Sequence, residues 1–156
     1  MPTGQKDTAY LATLAGAIGA VVVDGLTLLE RLAGVPTRTP WEVGARVFLR
    51  SGLAKTAGGI LFGLIISLAM SITGAFLLAL FFQVFGEDHA VLKGVLVFNA
   101  LGLVTLGLLA PILGIAPLLR GDLTTHFVAV INLSLLGAVE GGLMRRLRAG
   151  APRRAG

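Results

Sequence analysis

Between Lys55 and Phe85 the chain carries no charged side chain after Lys55 itself. An unbroken apolar stretch longer than roughly eighteen residues is read as a membrane-crossing helix, because a helix on the surface of a soluble core keeps one polar face. Within this stretch a small residue returns at every fourth position: Gly59, Gly63, Ser67, Ser71, Ala75 and Ala79. Residues four apart share one face of a helix, so the segment presents a narrow ribbon on which a second helix can lie close. Spans associate through such close approach, since lipid already satisfies their apolar surface. Lys55, Ser67, Ser71 and Gln83 fall on the same ribbon, so it can also line a polar path. Packing is the preferred reading.

Composition agrees with a bilayer. Of 156 residues, 55% are hydrophobic and 13% charged, against about 25% charged in soluble proteins. The 22 glycines would weaken helices in water but are common in membrane helices. No Gly-X-Y period or Pro-Gly tract points to a fibrous or disordered chain. The net charge of +5 is concentrated in the Arg31–Lys55 connection and in Arg145, Arg146, Arg148, Arg153 and Arg154. Basic clusters beside spans set orientation or meet anionic headgroups, so no nucleic-acid partner is expected. The chain has no cysteine, which excludes disulfides, zinc thiolates and thiol nucleophiles.

The expected fold is all-α: a polytopic, antiparallel bundle of four transmembrane helices with a short amphipathic interfacial helix between spans one and two. A polar N-terminus (1–8) leads into one membrane domain (9–148), with spans at about 10–29, 55–85, 93–119 and 124–144, and a basic flexible tail (149–156) follows. The first span places Ala12, Gly16, Ala20 and Asp24 on one face. A secretory signal built on Lys6 and Leu11–Val23 competes with it, but no A-x-A-type cleavage site follows. Thr39-Pro40-Trp41-Glu42 reads as a helix start, with Thr at the N-cap, Pro at N1 and Glu at N3. The helix it opens, about 40–51, sets Glu42, Arg46 and Arg50 against Trp41, Ala45 and Phe48. It lies in the headgroup layer or packs as a cap on the protein.

Gly86-Glu87-Asp88-His89 is short enough to pair spans two and three antiparallel. Pro111 should kink the third span and Pro117 help to end it. Arg120-Gly121-Asp122 turns the chain, with Asp122 as an N-cap. Ser134, Gly137, Ala138, Gly141 and Gly142 give the fourth span a small face. With both ends on one side, Lys6, Lys93 and the tail arginines narrowly outnumber the basic residues opposite, so both termini are expected in the cytoplasm. A five-span arrangement would need two crossings between Ser51 and Phe85, too few residues at about twenty per span.

Asp24 is the sharpest candidate for chemistry. A carboxylate inside a span costs roughly 2.5–3.5 kcal/mol on insertion scales, and so faces the bundle interior and takes a partner. Lys55 is in reach, as a structural ion pair (the preferred reading) or as part of a proton- or cation-handling site. Glu140, one turn from Arg145, is read as an interfacial anchor in the opposite leaflet from Asp24, hence not of the same site. Asn99 and Asn132 are mid-span amides expected to hydrogen-bond between helices, at about 1 kcal/mol each; with Thr105 they can alternatively bind a ligand. His89 and His126 lack the i, i+4 pairing of a helical metal site, and no nucleophile elbow or P-loop occurs. The expectation is therefore not an enzyme, with neither cofactor nor metal.

The order of these features resembles a functionally uncharacterised family of small four-helix integral membrane proteins from spore-forming, Gram-positive-type bacteria. The likeness rests on Ala15-Gly16 and Val23-Asp24 in span one, Pro40-Trp41-Glu42, Leu92-Lys93-Gly94, and Thr125, Asn132 and Gly137 in span four, and covers Ala12 to Leu147. It implies a multi-pass cell-membrane protein and supplies no activity. Two roles follow from the residues. The first is a structural or accessory component that assembles, with itself or a membrane partner, through glycine-rich helix faces, with Arg145, Arg146 and Arg148 on anionic headgroups. The alternative is a subunit of an oligomeric transporter or channel for a small solute, ion or proton, using Asp24. Four spans are few for a monomeric transporter, whose sites form between repeats.

Overall fold

A computed structural model describes residues 4–50, 52–112 and 123–149. The chain is all-α. Helices α1 (Gly4–Leu32), α2 (Pro40–Phe48), α3 (Ala57–Phe85), α4 (Ala90–Leu103) and α5 (Leu123–Ala149) follow in order. Among the described residues, four helices are long and apolar enough to cross a membrane: Thr8–Leu32, Ala57–Phe85, Ala90–Leu109 and Leu123–Arg148. They pack as a bundle, with α2 as the short helix between the first two spans.

Small residues decide how the helices meet. Helix α1 lies between α3 and α5, and α5 lies in turn on α4. Gly16 of α1 sits against the backbone of Ser71 and Ile72 of α3, while Gly19 faces Leu136 and Glu140 of α5. Gly94 of α4 and Gly137 of α5 touch backbone to backbone, and Gly141 rests on the Ala90 carbonyl. In each pair residue numbers rise along one helix as they fall along the other, so neighbouring spans run antiparallel. Helices α3 and α4 touch through the Phe98 ring, which covers Gly74. The interior is correspondingly fine-grained: Ala12, Ala15, Ala75, Ala79 and Ala90 surround Leu78, Phe82, Phe98 and Met144.

The ribbon of α3 is buried at all six small positions, Gly59, Gly63, Ser67, Ser71, Ala75 and Ala79. Its expected polar ends are not part of the interior. Gln83 and Lys55 are exposed. Lys55 lies in a 3₁₀ turn, Leu53–Lys55, because Thr56 starts α3 by accepting a hydrogen bond from the Gly59 N–H at 3.2 Å. Helix α2 begins at Pro40 as its sequence dictates, but Thr39 makes no side-chain cap. Glu42 pairs with Arg31 at 2.7 Å instead of closing a capping box. Gly44 and Ala45 of α2 are buried, with Gly44 facing Ile66 and the Trp41 carbonyl lying over Gly63. This is the packed-cap geometry.

At the α3–α4 hairpin, Gly86 and His89 both take positive φ, 76° and 55°. The Lys93 ammonium donates to the Phe85 and Gly86 carbonyls at 2.6 and 2.9 Å, satisfying acceptors that the end of α3 leaves open. Arg148 of α5 forms an ion pair with Glu87 of the same turn. After α4 the chain widens into a π-helical stretch, Val104–Leu109, before a final α turn, Ala110–Ile112. Pro111 has no N–H to offer and its ring opposes the carbonyl four residues back, so the disturbance falls on the turn before it. Pro117, Arg120-Gly121-Asp122 and the tail arginines Arg153 and Arg154 lie outside the described residues.

Candidate functional site

Two carboxylates meet the middle of α3. Ser67 Oγ donates to Asp24 Oδ1 at 3.0 Å, and Ser71 Oγ lies 2.8 Å from Glu140 Oε1 and 2.9 Å from the Gly16 carbonyl. Ser71 is the midpoint of α3. Ser67 and Ser71 are one turn apart, so the carboxyls attach about 6 Å apart along the helix axis. Asp24 and Glu140 each stand about one turn beyond the middle of their own spans. Because α1 and α5 run antiparallel, these offsets point in opposite directions and bracket the bundle's midplane. The two acids thus keep the opposite offsets expected of them, but both meet α3 within one turn of its middle rather than near the two ends of the bundle.

Burial separates the two acids. Asp24 is half-buried, beside Thr27, whose hydroxyl turns back to the Val23 and Asp24 carbonyls. Glu140 is 0% exposed. It therefore does not act as an interfacial anchor. Its Oε2 is buried and has no hydrogen-bond partner among the described residues. Glycine makes its place: a Cβ at Gly19 would fall 2.7 Å from Glu140 Oε1 and 2.9 Å from its Cγ. Past that gap the side chain reaches from α5 across α1 to α3.

Ser71 has one proton for two acceptors. With a proton on Glu140, the carboxyl donates to Ser71 and Ser71 donates to Gly16. With a bare carboxylate, Ser71 turns its hydrogen to Glu140. The same three groups therefore serve both states without moving a helix. A bare carboxylate at this depth needs a compensating positive charge, and Arg31 and Arg148 are paired with Glu42 and Glu87, away from both acids. A proton or a small cation is what the arrangement can take.

The polar groups continue toward the far end of α1. Asn132 Nδ2 donates to Glu30 Oε2 at 2.9 Å, while its Oδ1 is buried without a partner among the described residues. Asn132 thus joins α5 to α1, as a mid-span amide was expected to join helices. Asn99 does the same between α4 and α5, donating to Ser134 Oγ at 2.8 Å and to the Val95 carbonyl at 2.9 Å. Thr105 lies half-buried in the π stretch, away from this pair. Of the sequence candidates, Asp24 meets α3 through Ser67 and Asn132 meets α1 through Glu30, while Asn99 joins α4 to α5 and Lys55 is exposed. Sequence reading passed over Glu30 entirely. The usable signal was its place as an acid in the last turn of the first helix, six residues beyond Asp24.

Long apolar helices around a small-residue interior define a small polytopic membrane protein. Compared with known protein families, curated proteins and solved structures, the chain matches none of them. The family resemblance accordingly holds in its coarse form, four long apolar helices in a small membrane protein.

Proposed function

We propose that this protein binds and passes protons or small monovalent cations within the membrane, in a non-enzymatic role, with Glu140 as the central binding group and Asp24 next along the path. The observation that carries this reading is a wholly buried mid-span carboxyl with one oxygen on Ser71 and the other without a hydrogen-bond partner among the described residues. Acids in such positions mark proton relays and ion pathways in membrane proteins. The glycines that were expected to carry assembly with a partner support the same choice. Gly16, Gly19, Gly63, Gly94, Gly137 and Gly141 are taken up by crossings inside one chain. Both termini are placed in the cytoplasm, and the α5 arginines at anionic headgroups of that leaflet.

Purified protein in liposomes holding a pH-sensitive dye tests the proposal. Under a potassium-diffusion potential, wild type should dissipate a proton or sodium gradient faster than protein-free liposomes. Glu140→Gln should abolish the excess and Asp24→Asn reduce it. A wild type no faster than empty liposomes overturns the function. A folded Glu140→Gln protein as active as wild type removes Glu140 from the path.

A further inference from the structure

We infer that a groove on the outer face of α5 holds one anionic phospholipid as a specific ligand. It has a volume of about 640 Å³ and opens between Ile18 of α1 and Val91 of α4, over Ala138 and Gly142 of α5, with Arg145 and Arg146 in its lining. That size falls within the range of roughly 300–1,000 Å³ typical of small-molecule sites. The groove exists because α5 is set between α1 and α4 and presents small side chains outward at 138 and 142. A Cβ at Gly142 would meet only Val91, at 3.8 Å, so the floor is open.

The charge at this end selects the occupant. Arg148 is neutralised by Glu87. Arg145 and Arg146 are exposed, have no ion-pair partner among the described residues, and share the groove lining with no acid. An apolar trough with two uncompensated guanidinium groups, both near the end of a span, matches an acyl chain joined to a phosphate. Arginine binds phosphate oxygens in a two-pronged fashion, and basic pockets between helices at a membrane surface hold anionic headgroups. The ligand is a phospholipid of the surrounding leaflet. The inference rests on the placement of the α5 arginines at headgroups and goes beyond it, from diffuse attraction to one seated molecule.

The test is native mass spectrometry of the full chain released from nanodiscs of phosphatidylcholine with a minor share of phosphatidylglycerol. Wild type should retain one phosphatidylglycerol in preference to phosphatidylcholine. Arg145→Gln with Arg146→Gln should weaken retention about thirtyfold, at roughly a factor of five per arginine near an anionic surface. Gly142→Leu fills the groove with both arginines in place and should also abolish the single adduct. Melting temperature in detergent confirms that each variant is folded, and Ala138→Leu is the substitute if Gly142→Leu is not. Loss with the arginine variants but not with groove-filling would overturn the seated lipid and leave the headgroup reading standing. Retention unchanged in both variants, or equal retention of both lipids, would overturn both. A dimer that buries the groove would assign it to a second copy of the chain and overturn the lipid site.

Discussion

Glu140 of α5 reaches Ser71 of α3 at the middle of the bundle, although α1 separates most of the two helices. Ser71 is the hydrogen-bond partner of a fully buried group, whereas Ser67 serves the half-buried Asp24. Leaving a buried polar group unpaired costs about 1–3 kcal/mol, against about 0.5–1.5 kcal/mol for losing an ordinary hydrogen bond. Ser71→Ala should therefore destabilise more than Ser67→Ala in thermal unfolding in one detergent. A cycle of Ser71→Ala with Glu140→Gln should show coupling of about 0.5–3 kcal/mol. Equal melting of the two serine variants would mean that Glu140 does not depend on Ser71.

Gly19 makes the room that Glu140 occupies. Its Cβ would lie 2.8 Å from Leu136 Cδ1 and closer still to the Glu140 carboxylate, while Gly25, on the same helix, has nothing within 4 Å. Overpacking costs about 1–3 kcal/mol, and an open helical glycine gains roughly 0.5–1 kcal/mol on conversion to alanine. Gly19→Ala is expected to lower the melting temperature and impair any flux that depends on Glu140, and Gly25→Ala to leave flux unchanged with equal or higher melting. The reverse order would place Glu140 elsewhere.

The inner ribbon of α3 was legible because a four-residue period on one uninterrupted helix needs no tertiary information. The inward face of α1 through Ala12, Gly16, Ala20 and Asp24 was legible for the same reason. Glu140 was not, and helix length is the cause. Ending the fourth span near Met144 puts Glu140 one turn from the membrane surface. Helix α5 continues to Ala149 and draws Glu140 inward. Nor does sequence show that Gly19 stands opposite it, since that depends on which spans become neighbours. Lys55 was put within reach of Asp24 because both fall toward the same end of a four-span bundle, with Lys55 taken as the first residue of one α-helix running to Phe85. The cap at Thr56 interrupts that helix and leaves Lys55 exposed.

Gly94 and Gly137 set the distance between α4 and α5. An added Cβ on either would collide with the other's carbonyl, a backbone atom with no rotamer to change. Alanine at either position must push the helices apart and loosen the Asn99–Ser134 hydrogen bond that follows along the same seam. The expected loss is at the upper end of about 1–3 kcal/mol. Gly142→Ala, next in sequence to Gly141 but facing only Val91, should be nearly neutral. Melting temperatures of the three variants decide the matter, and a Gly94→Ala protein as stable as Gly142→Ala would argue against this crossing.

The antiparallel pairing of α1 with α3 and of α3 with α4 puts the α1–α3 connection and the α3–α4 turn at opposite ends of the bundle. Arg50 and Asp88 are exposed at these two ends. The chain contains no cysteine, so Arg50→Cys and Asp88→Cys each introduce a single reactive thiol without a cysteine-free background having to be built. In intact cells an impermeant maleimide should label Arg50→Cys and spare Asp88→Cys, and permeabilisation should expose the second. The opposite result would keep the bundle but invert it, placing the termini and the α5 arginines outside. Labelling of both from the same side would rule out a single crossing by α3.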